Sequence, residues 1–551
     1  MIELLEPGRA GQPFRTGPGC EMVDRRPGPQ NNPMSVSRIS FAEFAVGFLI
    51  VGAVWMLLLV TPYGVGLSPD SLTYLGAARN IESGRGFTMP PTDEPVAHLA
   101  PGYSLVLAAV GALGSGPLVA ARWLSAALFG LNIFLIYQLG KNSLGEGWPA
   151  GGLIVAVAAL ALLARPLWEI HLMAWTEPLF IAFCLAALWA LGSSLQTPGR
   201  LQLALAGVFL AGAILTRYAG LSVWAACLAG LVLIHRGSVR RRMLDASILS
   251  AISLLPFAFW SARNLWEAGT ATNRTIRFHP ITWDRAHEGL STVASWMLVP
   301  VQASGWVKLG VIGSFAAILL GGAAWWLTAR RDPGRPSPVG GPVPPVVGLA
   351  GLCVLVYPLF LITSLSLVDA NTPLDQRILS PLFIFALFPA IFGLGAWQRI
   401  LANRRFARLL PVACVAVFAL SHGAWSYSLA AKSAREGIGF NGLRWRDAGL
   451  IQVLREIPAG QPVYSNSPDA VFFLTGREAK RLPTAFHAMT QAANPHYRAE
   501  MSRVGQELAA GGGLVYLDLG GASARLRVET LVRELHLVPR WNFAAGTLYT
   551  H

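Results

Sequence analysis

The chain has 551 residues, of which 53% are apolar and 13% are charged, and 43 Lys and Arg oppose 29 Asp and Glu. Soluble proteins carry about 25% charged residues, so this composition, with a mean hydropathy of +0.49, excludes a disordered chain, a coiled coil and an ordinary cytosolic enzyme. We therefore predict a mainly α-helical, polytopic membrane protein. Its net charge of +14 is interpreted first as a topology signal rather than as a nucleic-acid-binding surface.

The predicted membrane spans begin after a polar leader. Residues 1–38 are rich in Gly, Pro and Arg and contain no apolar core of a signal peptide, which predicts a disordered cytoplasmic leader. The apolar run from Phe41 to Val60 is long enough to cross a bilayer and is interpreted as a signal anchor. Ten further apolar runs cover residues 118–140, 148–165, 178–195, 201–215, 219–234, 246–261, 306–328, 346–368, 378–397 and 409–429, which makes eleven predicted spans.

One shorter apolar segment decides the orientation of these spans. Leu99 to Leu113 is interrupted by Pro101 near its start, and its length suits a re-entrant or interfacial helix better than a span. If it does not cross, the main basic clusters all lie on the side of the leader, as the positive-inside rule requires. These clusters are Lys141, His235 with Arg236 and Arg240 to Arg242, Arg330 and Arg331 with Arg335, and Arg399 with Arg404, Arg405 and Arg408. We therefore predict a cytoplasmic N-terminus, a core over residues 39–430 and an extracytoplasmic C-terminus.

The composition changes after residue 430 to a mixed pattern with turn signals. Residues 461–466 and 513–519 are typical of short buried strands, and residues 447–457, 497–510 and 526–535 have apolar side chains at helical spacing. Residues 431–551 are therefore predicted to form a small extracytoplasmic α/β domain, whose role the sequence leaves open.

Two carboxylates lie at the predicted outer boundary of the membrane. Asp70 follows the first span in Ser68-Pro69-Asp70, at the start of a predicted helix along the membrane surface, and Glu177 begins the fourth span in WTEPLF. Each could be only a first-turn carboxylate that stabilises its helix. The pair is more informative, because two carboxylates at an apolar boundary are costly unless they have partners or a function.

Basic residues on the same predicted side are candidates to bind a phosphate. An arginine cluster suits such a ligand because the planar guanidinium group binds phosphate oxygens in pairs, although each arginine could instead pair with a nearby acid, as Arg377 with Asp375 or Asp369. These candidates are Arg217, Arg263, Arg274, Arg277, His279 and Arg377, and Tyr74, His98 and Tyr103 join them as candidate substrate-binding residues. If the site is an active site, Asp70 and Glu177 should face one outer cavity that at least two of the arginines line.

Other chemistry is not indicated. The five cysteines, with Cys20 alone in the leader and the rest in apolar runs, predict no disulfide and no zinc site. No cofactor is predicted, although a divalent metal ion is not excluded.

Several short motifs resemble a known family in order and position. SPDSLTYLGAARNIESGRGF followed by APGYSLVLAAVGALG resembles the first outer loop of the GT-C glycosyltransferases, and WTEPLF, ILTRYAG, ARNLWEAG and QRILSPLF follow in the places of that family's motifs. The similarity covers roughly residues 40 to 430 and is greatest to the branch of the lipid A aminoarabinose transferases, protein O-mannosyltransferases and RgtABCD-like proteins. The tail segment YSNSPDAVFFLTGREAKRLP resembles the family's extracytoplasmic appendage.

The resemblance implies a bacterial inner-membrane enzyme of cell-envelope glycan synthesis. Such an enzyme transfers a sugar from a polyprenyl-phosphate donor to a glycan, lipid or protein acceptor on the extracytoplasmic face. Asp70 would be the catalytic base of an inverting reaction, Glu177 the second acidic residue, and the arginines would hold the phosphate leaving group. Ser71 follows Asp70 where the protein mannosyltransferases have a second acid, which argues against carrying over their acceptor. The alternative is a transporter or flippase for a lipid-linked anion, or a membrane scaffold with a partner-binding tail.

Overall fold

The computed structural model describes residues 41–90, 94–144, 150–331, 343–400, 405–446, 448–458, 460–486, 492–519 and 529–551. The predicted leader, with Cys20, and the basic residues Arg335 and Arg404 lie outside these ranges. Residues Ala42–His551 form one compact unit.

The first elements place a surface helix directly after a long apolar one. They are α1 (Phe41–Val60), α2 (Pro69–Glu82), β1 (Thr88–Met89), β2 (Glu94–Pro95) and α3 (Gly102–Gly111), and β1 pairs with β2 in an antiparallel hairpin. Ten residues of α3 are about 15 Å long, half of the hydrocarbon thickness of about 30 Å. This length agrees with the expectation that the segment around Leu99 to Leu113 does not cross the membrane, which stays a prediction.

Twelve helices follow in the described part of the core. They are α4 (Gly116–Leu144), α5 (Ala150–Leu163), α6 (Arg165–His171), α7 (Glu177–Gln196), α8 (Arg200–Thr216), α9 (Gly220–Leu233), α10 (Val239–Ala268), α11 (Trp283–Trp296), α12 (Gly305–Arg331), α13 (Pro345–Leu367), α14 (Gln376–Ile400) and α15 (Arg405–Glu436). All eleven predicted apolar runs are therefore helical, and α6 and α11 are the two helices of this group that the hydropathy pattern did not predict.

Length and apolarity divide these helices into two groups. Among the described residues, seven helices are long and apolar enough to cross a membrane, or eight if α5 and α6, which meet at a 54° bend, count as one broken span. Three of the predicted spans are shorter apolar helices over their described residues: α8, α9 and Gly305–Ala317 in α12. The protein is a multi-pass membrane protein with a mainly α-helical fold.

Small residues allow the long helices to approach closely. A Cβ atom added to Gly192 of α7 would lie 2.5 Å from a methyl carbon of Val346 in α13, and one added to Gly207 of α8 would lie 2.8 Å from Ile252 in α10. Apolar side chains gain little by leaving lipid for protein, so close packing at small residues is a main source of helix association in membranes.

Charged residues separate to the two ends of the bundle. At one end, Lys141 of α4 pairs with Glu43 of α1 at 3.8 Å, and Asp245 of α10 pairs with Arg241 at 2.9 Å. The other end carries α2, the loop before α7 and the chain after α15, which are joined by single β-bridges from Gly66 to Met173 and from Leu67 to Gly439. Both predicted acids, Asp70 and Glu177, lie at this second end.

The tail forms a mixed sheet with helices on it. Its elements are α16 (Leu443–Arg446), α17 (Gly449–Glu456), β3 (Val463–Ser465), α18 (Pro468–Thr475), β4 (Lys480–Arg481), α19 (Tyr497–Ala509), β5 (Gly513–Leu517), β6 (Val538–Phe543) and β7 (Gly546–Thr550). The strand order is β4-β3-β5-β7-β6, in which β3 is parallel to β4 and β5, and β7 is antiparallel to β5 and β6.

The structure confirms the predicted α/β character of the tail. The predicted strands are β3 and β5, two predicted helices are α17 and α19, and the third is helical from residue 529 onward, while residues 526–528 lie outside the described ranges. Helix α18 packs against α2, so the tail contacts the core beside Asp70. The domain boundary at residue 430 stays a prediction.

Candidate active site

Asp70 lies in the first turn of α2, whose start is fixed by its neighbours. Ser68 is the N-cap: its Oγ accepts from the Ser71 backbone N–H at 3.4 Å, and the Ser68 N–H donates to Ser71 Oγ at 3.0 Å. Pro69 takes the first helical position, where its missing N–H costs nothing. Because Ser68 caps the helix, the Asp70 carboxylate is available elsewhere, and its Oδ2 accepts from Arg377 Nη1 at 2.7 Å.

Glu177 is the centre of a chain of ion pairs. It begins α7, its side chain is completely buried, and its Oε1 accepts from Arg377 Nε at 2.7 Å and also from Arg217 Nη1. We call Asp70, Arg377, Glu177 and Arg217 the charge network. Two acids and two arginines make it formally neutral, which is what allows charges to remain buried at the end of a helix bundle.

Trp175 supports this network and was not predicted from the sequence. The guanidinium carbon of Arg377 lies 4.6 Å from the centre of the Trp175 ring, within the range of a cation–π contact. The Trp175 indole N–H donates to Ser68 Oγ at 2.8 Å. Trp175 thus connects the cap of the helix that carries Asp70 to the arginine that binds Asp70. Its position two residues before Glu177 was the available signal, but Trp is common at membrane boundaries without any such role.

A cavity of about 1490 Å³ lies beside Asp70, between the α2 end of the core and the tail. Its core wall includes Asp70, Thr73 and His98, and its tail wall includes residues of α17, α18 and β4. The described lining residues do not include Glu177. They also do not include any of the predicted outer cations, which are Arg217, Arg263, Arg274, Arg277, His279 and Arg377. We expected both acids to face one cavity that is also lined by arginines. In the structure, Arg377 instead contacts both acids, and of the two acids only Asp70 lines the cavity.

Tyr74 and Tyr103 pack against each other instead of opening to this cavity. Their rings meet edge to face with centroids 5.5 Å apart, and both side chains are buried. Burial, together with the nearby Asp70 carboxylate, raises the pKa of Tyr74 to about 12, so its phenol stays neutral at physiological pH. Tyr103 of α3 thus packs against α2 through Tyr74, one turn after Asp70.

The remaining predicted cations belong to the loop after α10 and to the end of α10. Arg274 Nη1 pairs with Asp369 Oδ2 at 2.7 Å, so Asp369 is the partner of Arg274 and not of Arg377. Arg263 lies over the Trp260 ring, and its Nη2 donates to the Phe87 carbonyl at 3.4 Å.

Three further residues complete the predicted set. Arg277 is exposed, and its backbone N–H donates to the Leu367 carbonyl. His279 is buried, and neither of its ring nitrogens has a hydrogen-bond partner among the described residues. His98 lines the cavity with Asp70, and partial burial lowers its pKa, which favours the neutral imidazole.

Within the described ranges, no group of three or more His, Cys, Asp or Glu side chains is arranged to hold a metal ion. Cys184, Cys227, Cys353 and Cys414 are free thiols.

The comparisons with known proteins identify the class of this architecture. Residues 93–266 match the family model of dolichyl-phosphate-mannose-protein mannosyltransferase. The structure of ArnT from Cupriavidus metallidurans bound to undecaprenyl phosphate superposes with a TM-score of 0.51 at 14% identity, covering 92% of this chain and 97% of that chain. The chain has the GT-C glycosyltransferase fold. The family-model match over residues 93–266 and the shared fold agree with the resemblance of the motifs to the GT-C glycosyltransferases.

A second solved structure is also similar. The oligosaccharyltransferase AglB from Archaeoglobus fulgidus, in complex with an inhibitory peptide and a dolichol-phosphate, has a TM-score of 0.45 at 12% identity, covering 87% of this chain and 70% of that chain. No curated protein sequence matches the chain.

Proposed function

We propose that this glycosyltransferase moves a sugar from a polyprenyl-phosphate donor to an acceptor hydroxyl on the extracytoplasmic face, with inversion and with Asp70 as the base. One observation carries the proposal: Asp70 is held by Arg377 and is the carboxylate of the charge network that lines the cavity. Its side chain is 49% exposed, and its second oxygen, Oδ1, has no hydrogen-bond partner among the described residues. The donor class is supported by the undecaprenyl phosphate named in the ArnT structure.

The reaction needs only one carboxylate. The acceptor hydroxyl transfers its proton to Asp70 while its oxygen bonds to the anomeric carbon of the donor sugar. The bond from that carbon to the phosphate oxygen breaks on the opposite side, and its electron pair leaves with the polyprenyl phosphate. Because nucleophile and leaving group lie on opposite faces, one displacement inverts the anomeric configuration, and one base suffices.

The charge network positions Asp70, and two other cations without a carboxylate partner are the candidates for the leaving phosphate. Arg217 and Arg377 are already neutralised by Glu177 and Asp70. Arg263 and Arg277 form no ion pair with a carboxylate in the described part of the chain. A guanidinium without a carboxylate partner can stabilise the charge that develops on a departing phosphate. We therefore assign Arg377 and Arg217 to holding the two acids, and Arg263 and Arg277 to the donor phosphate.

The same proposal includes the orientation in the membrane. Basic residues such as Lys141 and Arg241 lie at the end of the bundle opposite Asp70. Because cytoplasmic loops carry the excess of Lys and Arg, the N-terminus is placed in the cytoplasm and the cavity and tail outside, in a bacterial plasma membrane.

The test is Asp70→Asn in the full-length protein. Purified wild type is incubated with a panel of polyprenyl-phosphate sugars, and release of polyprenyl phosphate and transfer to acceptor are followed. Loss of the base should reduce transfer by about 100- to 10,000-fold with donor binding retained. Asp284→Asn changes an exposed first-turn carboxylate of α11 in the same way and serves as the control. An Asp70→Asn enzyme as active as the control rejects the assignment of the base.

A further inference from the structure

The tail wall of the cavity is rich in basic side chains. Among the described lining residues, the tail contributes four basic residues and two acidic ones. The basic residues are Arg455, Arg477, Lys480 and Arg481, and the acidic ones are Asp469 and Glu478. Among the described lining residues of the core wall, Asp70 and Glu94 are the Asp and Glu side chains, and there is no Lys or Arg. The charged side chains of the lining are therefore acidic on the core side, where Arg377 pairs with Asp70, and mostly basic on the tail side.

Two of the four basic side chains are neutralised by their own partners. Lys480 Nζ lies 2.5 Å from Glu507 Oε2, and Arg481 Nη2 lies 3.0 Å from Asp469 Oδ2. These ion pairs account for both charges of strand β4, the edge strand of the sheet.

Arg455 and Arg477 differ, because their described partners are neutral carbonyl groups. Arg455 Nη2 donates to the Leu474 carbonyl at 2.8 Å, and Arg477 donates to the carbonyls of Ile457, Pro458 and Gln461 at 2.5 to 2.7 Å. Neither arginine forms an ion pair with a carboxylate within the described ranges, and their two positive charges exceed the one negative charge of Glu478, the acid that remains on this wall. The carbonyl contacts fix the two guanidinium groups at the junction of α17 and α18, on the wall that faces Asp70 across the cavity.

We propose that Arg455 and Arg477 form the anion-binding half of the acceptor site, and that the acceptor is a sugar that carries a phosphate or carboxylate group. This inference rests on the proposed function. Attraction to the two arginines, together with repulsion from Glu94 on the core wall, orients such an acceptor with its anion toward the tail and a hydroxyl toward the base. The volume of about 1490 Å³ exceeds the 300 to 1,000 Å³ that is typical of a pocket for a drug-sized ligand, which leaves room for more than one sugar ring. The tail then completes the active site instead of merely covering it.

The test measures sugar binding directly, without donor. The full-length protein in an uncharged detergent is titrated calorimetrically at low ionic strength with glucose 6-phosphate, with glucuronate and with uncharged methyl glucoside. At least one anionic sugar should bind more than about tenfold more tightly than methyl glucoside, because bonds between a guanidinium and an anion are charge-assisted. The relative affinity of the two anions shows whether phosphate or carboxylate is the group recognised.

Arg455→Gln is the main variant, since this side chain is exposed and makes one hydrogen bond, and Arg477→Gln is the second. Each should weaken binding of the preferred anion by about 10- to 100-fold. The double variant Lys480→Gln with Glu507→Gln removes a whole ion pair from the same wall, leaves the net charge of the wall unchanged, and should change the affinity by less than about twofold.

Two results overturn the inference: methyl glucoside binds as tightly as both anions, or Arg455→Gln weakens binding no more than the double variant of Lys480 and Glu507 does. Failure of the proposed function is seen separately. If the wild type releases no polyprenyl phosphate from any donor, that function is rejected, while the sugar titration still decides whether the two arginines bind an anion.

Discussion

Replacement of Glu177 by Gln tests whether the charge network is one energetic unit. Glu177 is completely buried, and its Oε1 accepts from both Arg217 and Arg377, whose side chains are 16% and 14% exposed. Glutamine has nearly the same shape but removes the negative charge. Two guanidinium groups then remain close together in a mostly buried site with only the Asp70 carboxylate to balance them.

The expected cost follows from this geometry. Removal of one partner from a buried ion pair destabilises a protein by about 3–5 kcal/mol, because the remaining charge is left without compensation. Glu177 is shared by two arginines, so we expect the upper part of that range. The free energy of unfolding is measured by denaturant titration in mixed micelles. Transfer activity should fall as well, because Arg377 loses the contact that fixes its position beside Asp70.

Glu288→Gln provides the matched control. Glu288 pairs with Arg285 at 2.8 Å, but both side chains are about one third exposed, at 34% and 28%. Such partly exposed pairs contribute about 0–1 kcal/mol. The double variant Glu177→Gln with Arg217→Gln should be more stable than Glu177→Gln alone, because it removes one uncompensated charge. The reasoning is refuted if Glu177→Gln costs no more than Glu288→Gln, or if the second substitution brings no recovery.

Three other changes probe the surroundings of the network. Trp175→Phe keeps a ring over Arg377 but loses the N–H bond to Ser68, so it should lower the free energy of unfolding by about 1 kcal/mol. Trp175→Leu should lower it more, because the cation–π contact is lost as well. Equal unfolding free energies for the two variants would contradict this. His98→Gln should flatten the pH dependence of stability: burial lowers the pKa of His98, so the unfolded chain binds a proton more readily, and the wild type should lose stability as the pH falls from about 7.5 to about 5.5. An unchanged slope in the variant would show that His98 does not titrate in this way. Ionisation of tyrosines raises the near-ultraviolet absorbance as the pH increases. Up to about pH 11 this rise should be the same in Tyr74→Phe and in the wild type, because the Tyr74 pKa of about 12 keeps its phenol protonated there. A smaller rise in the variant would refute the assigned burial effect.

Much of the fold is predictable from the sequence because it depends on local patterns. Long apolar runs must be helical in a bilayer, where each backbone polar group needs an internal partner, and all eleven runs are helices. The sequence Ser68-Pro69-Asp70 predicts the start of α2, and the structure shows the Ser68 cap. The missed elements have weak local signals: β4 has two residues, β6 is mostly exposed, and α11 contains no long apolar run.

The partners within the site could not be predicted in the same way. For Arg377 the sequence offers the nearby acids Asp369 and Asp375, yet Asp369 pairs with Arg274, and Asp375 accepts from the Ile378 backbone N–H at 3.0 Å at the start of α14. The partners of Arg377 are instead separated from it by 200 and 307 residues in sequence. Such contacts are set by the way α2, α7 and α14 meet at one end of the bundle, which a single sequence does not encode in any local spacing.

The neutral charge network changes what the outer arginines imply about catalysis. An arginine that binds the leaving phosphate must offer charge that no carboxylate has already taken, and Arg377 is shared between Asp70 and Glu177. If the donor phosphate bound to Arg377, it would compete with Asp70 for the same guanidinium group and would displace the base from its position. In the proposed reaction, phosphate binding by Arg263 and Arg277 avoids this conflict, because Asp70 as the proposed base then keeps its arginine throughout. The number of outer arginines is therefore less informative than their pairing: those that are paired hold the acids, and those that are not are available to the substrates.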